Sequence, residues 1–202
     1  MNETRVAQAN DYLNNTSWVA LGLIQMLADI DLRIDEFVER LDRQRQDLAL
    51  AERVTIGGRP EETERVARQK GKVEATEQAL RAFNYSANIL AGSILQIAQQ
   101  GMSFVHSKIQ TYPHLGRKVA GVDMRDLVWQ GRNQAMHYET TAKRADWRGV
   151  FGILDTAKPG RFSLEPPYES RAKDIFELLG WQSHAIYEAD IRTLLLGNQD
   201  RG

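Results

Sequence analysis

From Ala20 the apolar residues fall at Ala20, Leu23, Leu27, Ile30, Ile34, Phe37, Leu41 and Leu48, an alternation of three and four broken only at Gln44. That rhythm follows the 3.6-residue turn and predicts one long helix with a single apolar seam. Asn14, Asn15 and Thr16 are candidate N-caps before it, and "TIGGRP" at 55–60 is a stop, two glycines and then a proline. A second seam runs through Val66, Val73, Leu80, Phe83, Ala87, Leu90, Ile94 and Ile97. Pro60, Glu61 and Glu62 open that helix favourably: proline lacks only an amide that would go unpaired there, and the acids face the positive helix end. Two helices of about 55 to 65 Å joined by so short a turn must run antiparallel.

The pattern is uneven along this hairpin. Trp18 to Leu41 and Leu80 to Phe104 are densely apolar, whereas residues 42–74 are mainly Arg, Lys, Glu, Asp and Gln, which predicts a tip that projects into water. Nine basic and eight acidic side chains over residues 39–74 make a solvated arm held by helical charge pairs the favoured reading over a nucleic-acid-binding arm. Beyond Pro113 and Gly116, Asp123 with Asp126 resembles a capping arrangement and starts a third helix, roughly 123–144. Residues 147–168 hold Lys158-Pro159-Gly160 between two short apolar runs and are expected to form a small β-hairpin or an ordered loop. After Pro166-Pro167, "AKDIFELL" and "WQSHAIYEADIRTLLL" read as two short helices or one kinked at Gly180, and the tail at 197–202 is expected to fray. The fold class is therefore all-α, an antiparallel helical bundle.

At 202 residues the chain suits a single domain with its own core. Lys+Arg 26 against Asp+Glu 27 leaves no basic excess, so contact with nucleic acid would need a local patch. The absence of cysteine removes disulfides, zinc ribbons and thiolate nucleophiles, and fits a reducing compartment. The polar opening "MNETRVAQAND" has no signal-peptide pattern, and "WVALGLIQMLADI", broken by Gln25 and Asp29, is too short to span a bilayer. No membrane association and a cytoplasmic location are expected.

Chemistry concentrates in "WQGRNQAMHYE", residues 129–139, because the chain has only four histidines and one follows an Arg-Asn pair here. On a helix turning about 100° per residue, Asn133 and His137 lie one turn apart on one face, close enough for the amide to orient the imidazole. Arg132 is about 140° from His137, but its long arm can fold back, especially if Gly131 loosens the helix start. Such a trio suits cleavage of RNA by its own 2′-hydroxyl, with imidazole for proton transfer and a planar cation on the phosphate. No metal or other cofactor is required. One motif supplies one histidine, so a symmetric dimer would bring the second proton-transfer group.

Arg132-Asn133, three residues and His137, following a long helix pair, resembles the HEPN superfamily, whose signature is an arginine, four to six residues and a histidine. The resemblance implies a helical bundle that dimerises through its motif helices. In active members it implies a metal-independent endoribonuclease, often in toxin–antitoxin pairs or antiviral defence, so a homodimer, an RNA substrate and an antitoxin or regulatory protein are the implied partners. Arg132, Asn133 and His137 match the motif as catalytic residues, with Gln134, Ala135 and Met136 at variable positions. One toxin branch has tyrosine two residues after the histidine; Glu139 stands there, and the tyrosine is Tyr138, so the branch is not assigned. The charged extension of the helix pair also exceeds the minimal bundle. The alternative is a non-catalytic helical module in which the same residues knit a dimer or hold a nucleotide or protein partner.

Nearby charge gives modest support: across 117–148 seven basic residues, among them Arg125, Lys143 and Arg144 as candidate RNA contacts, outnumber four acidic ones. Ordinary surface charge explains that excess equally well. Trp129 could stack on a base, although core or dimer interface is the better-supported reading for a tryptophan beside Leu127 and Val128. His184 and Glu188 lie one turn apart but provide too few ligands for a metal site, and His106 and His114 receive no role.

Overall fold

The first helix, α1, spans Glu3–Val54 and the second, α2, Pro60–His106, in a computed structural model that describes residues 3–54, 59–106, 112–139, 145–166 and 168–197. The start of α1 corrects the expected cap at 14–16. Ala9 and Leu13 are buried and extend the apolar seam back by about three turns, while Thr16 Oγ1 donates to the Tyr12 carbonyl at 2.7 Å, inside the helix. The turn at 55–58 lies outside the described residues. The polypeptide divides into two compact units, one of Ala28–Ala87 and one of Met1–Leu27 with Asn88–Gly202.

Within Ala28–Ala87 the partners run in opposite senses along α1 and α2: Phe37 meets Phe83 with ring centroids 5.2 Å apart, Arg45 bonds Glu77 at 2.8 Å, and Lys70 lies 3.3 Å from Glu52. The antiparallel pairing is therefore visible inside this unit alone. Its ion pairs are exposed, so each contributes little, and the buried Leu41 and Ala51 mark the seam.

In the other unit the two helices approach closely at Gly101, where an added Cβ would lie 2.6 Å from Tyr12 Cε1. The Tyr12 hydroxyl donates to the Ile97 carbonyl at 2.6 Å, and burial pushes its pKa up to about 12. A two-residue hairpin follows, β1 (Lys118–Val119) against β2 (Val122–Asp123), antiparallel with Lys118 opposite Asp123. Ala120 and Gly121 both have positive φ, the turn geometry that matches strand twist. Asp123 then precedes α3 (Met124–His137); its side chain pairs with Lys118 at 2.9 Å rather than capping, and Asp126 pairs with Arg125, so the expected capping pair is not formed.

The expectation for 147–168 is corrected in its first half. α4 occupies Ala145–Ala157, with Trp147, Phe151 and Leu154 buried at helical spacing, and no strand forms among the described residues there. Lys158-Pro159-Gly160 ends this helix instead of turning a hairpin, with Gly160 at φ +81°. Two closing helices, α5 (Ala172–Leu178) and α6 (His184–Leu196), are separated at Gly180, whose φ of +72° lets the Trp181 amide reach back to the Phe176 carbonyl. Residues 198–202 lie outside the described residues. Asp190 on α6 accepts from Trp181 Nε1 at 2.9 Å and from Arg117 Nε at 2.9 Å, joining the segment before β1 to the last helix. The all-α class holds, and among the described residues no helix is long and apolar enough to cross a membrane.

Candidate functional site

α3 ends at His137, with Tyr138 and Glu139 in a tighter turn; the expected continuation through 140–144 lies outside the described residues, as do Lys143 and Arg144. Its inner face is Met124, Leu127, Val128, Gly131 and Gln134, all buried, and it packs against α4, α5 and β2. Gly131 does not loosen the helix. A Cβ there would stand 3.1 Å from Ile175 Cγ2 and 3.4 Å from Leu95 Cδ1, so the glycine permits close approach of α2 and α5. Ala135 lies against Gly92 in the same way, 3.5 Å from where its Cβ would be.

That approach carries Gln96, one turn beyond Gly92, to the edge of the motif. Gln96 Oε1 accepts from Arg132 Nε at 2.5 Å, and Asn133 Oδ1 accepts from Arg132 Nη1 at 3.1 Å. The guanidinium is half-buried and held from two sides. Asn133 therefore engages Arg132, a partner different from the His137 expected of it. His137 is exposed at the helix end, and its ring lies nearly parallel to the indole of buried Trp147 on α4, 13° between planes with centroids 6.5 Å apart. The exposed imidazole thus has the Trp147 indole, itself buried, on one side.

Arg125, one of the expected RNA contacts, bonds Asp126 at 2.8 Å, which compensates its charge. Trp129 is half-buried on the outer side of α3, where Met136 is also exposed. Gln134, a variable position in the motif reading, is 1% exposed, donates to the Glu169 carbonyl at 2.7 Å and accepts from the Arg171 amide at 2.8 Å. Gln96, Trp147 and Gln134 are the residues that local pattern did not single out. Gln96 and Trp147 meet the motif only through the fold.

Elsewhere His184 Nε2 lies 3.1 Å from the Ser17 carbonyl and stacks on Tyr187. Among the described residues no group of three His, Asp or Glu side chains could hold a metal. Arg117 borders a cavity of about 650 Å³ with His114, Asp190 and Thr193, but its hydrogen bonds to Asp190 hold its pKa up and satisfy its charge. Burial pushes the His106 and His114 imidazoles below their ordinary range. Comparisons of the chain with protein-family models, with curated proteins and with solved structures found no match.

Proposed function

We propose that this chain is a metal-independent endoribonuclease of the HEPN type, working as a homodimer whose α3 helices line a shared groove. The observation that carries the reading is the division of labour on α3: an exposed imidazole at His137 and, five residues before it, a half-buried guanidinium fixed by Gln96 and Asn133. A proton-transfer group needs solvent and substrate access. A phosphate clamp needs fixed donors in a partly dehydrated setting, where each charge-assisted bond is strongest.

His137 takes the proton from a ribose 2′-hydroxyl as that oxygen attacks the adjacent phosphorus. Arg132 binds the non-bridging oxygens and stabilises the charge that builds on them. The bond from phosphorus to the 5′-oxygen breaks, and the departing oxygen takes a proton from His137 of the partner subunit. The products are a 2′,3′-cyclic phosphate and a 5′-hydroxyl. The Trp147 indole lies nearly parallel to the His137 ring, and Asn133 steadies Arg132 rather than the histidine. A role in a toxin–antitoxin or defence system, with a neutralising protein partner, is part of the same proposal.

The test is incubation of the purified full chain with structured and unstructured RNA in EDTA, beside Arg132→Ala and His137→Ala. Cleavage that leaves 2′,3′-cyclic ends and disappears in both variants is the expected result, with a dimer by light scattering. Equal traces of cleavage from all three proteins overturn the enzyme and favour a binding module. Both variants should keep nearly the native melting temperature, since neither removes a packed core side chain.

A further inference from the structure

We infer that Gln96 is a positioning residue that holds the Arg132 guanidinium without neutralising it, and so keeps a half-buried cation available to a phosphodiester oxygen. The inference rests on the proposed site and names the device that prepares it. Arg125, Arg161 and Arg171 are half-buried like Arg132, and each forms an ion pair with a carboxylate: Asp126, Asp174 with Glu177, and Glu169 respectively. Arg132 alone among the described half-buried arginines that bond other side chains has only amide carbonyls as acceptors, from Gln96 and Asn133.

The difference matters because a carboxylate and an amide offer similar geometry but opposite electrostatic outcomes. Either can accept the Nε–H and set the plane of the guanidinium. A carboxylate also cancels its charge, whereas an amide leaves it to be satisfied by a ligand or by water. Of the five N–H donors of an arginine, Gln96 takes the one on Nε and Asn133 one on Nη1, which leaves one on Nη1 and both on Nη2. Those remaining donors form the planar fork that matches two oxygens of a phosphate. Gln96 itself is set by the close packing of Gly92 on Ala135 one turn away, so the holder stands on a rigid helix.

The test uses the full chain and two RNAs. A mixed-sequence 2′-O-methyl RNA binds but lacks the attacking hydroxyl, so it reads affinity without chemistry; ordinary RNA reads cleavage. Gln96→Glu keeps the acceptor and adds a charge. It should leave the melting temperature unchanged or raise it, and weaken binding of the 2′-O-methyl RNA about tenfold or more, because the new carboxylate competes with phosphate for Arg132. Gln96→Ala removes the holder without supplying a charge, so its loss of affinity should be smaller. A merely structural glutamine predicts the reverse order, with Ala the more harmful and Glu nearly silent. That order overturns the inference, as does failure of the wild type to bind the 2′-O-methyl RNA. A wild type that binds it with the predicted order but cleaves no RNA leaves the role of Gln96 standing and removes the nuclease. A wild type that cleaves while Gln96→Glu binds normally does the opposite.

Discussion

Gln134 lies two residues from Arg132, at a position the motif leaves open, yet it carries more of the fold than the motif residues do. Its buried amide supplies a donor to Glu169 and an acceptor to the Arg171 amide, and Ala in its place leaves both backbone groups without that partner. Gln134→Ala should cost about 1–3 kcal/mol, measured by urea unfolding, while His137→Ala changes stability by less than about 0.5 kcal/mol. A result in which His137→Ala is the more damaging would mean that the exposed imidazole is structural. The Arg-Asn-x3-His spacing was legible because its members share one helix, where position in sequence fixes angle. Gln96 was not, since it reaches Arg132 across 36 residues and nothing in "SILQIAQQ" separates it from any other polar position on a long helix.

At the scale of elements, periodicity sufficed for α1 and α2 and failed for α4. Trp147, Val150, Phe151 and Leu154 have helical spacing, but Gly149 and Gly152 interrupt them and Pro159-Gly160 follows closely, so turn signals dominated. Burial of Trp147, Phe151 and Leu154 offsets the poor propensity of the two glycines. Both glycines lie on the exposed side with nothing within 4 Å of an added Cβ. Gly149→Ala and Gly152→Ala should therefore each stabilise by roughly 0.5–1 kcal/mol, raising the melting temperature in scanning calorimetry. A loss of stability from either would place an unseen neighbour on that face. Gly131 is the opposite case. Its burial under Ile175 and Leu95 makes the same small residue a packing requirement, a distinction invisible before the helices are assembled.

For the molecule as a whole, the helical class and the charged character of residues 39–74 were read from pattern and composition, whereas the buried polar connections were not. One of them sets a pH dependence. His106 Nε2 lies 3.1 Å from the Leu195 carbonyl, and the His106 ring meets His114 with centroids 5.7 Å apart. Burial depresses both imidazoles, so the native state binds fewer protons than the unfolded chain at mildly acidic pH. Their contribution is fully present above the ordinary value of about 6.5 and is lost as pH falls below it through the depressed native values. Melting temperature should thus decline on acidification from neutrality, and His106→Gln should flatten that decline. An unchanged slope in the variant would assign the effect to other groups.

The bridge made by Gln134 has one more consequence. The Arg171 amide belongs to no helical ladder, being the residue just before α5, and its hydrogen is sequestered by a side chain of α3. Deuterium uptake at that single backbone position therefore gauges whether the Arg132–His137 helix is seated, and it does so from a place that need not touch RNA. Any rearrangement of α3 would write itself into the exchange rate of a loop on the far side of the sequence.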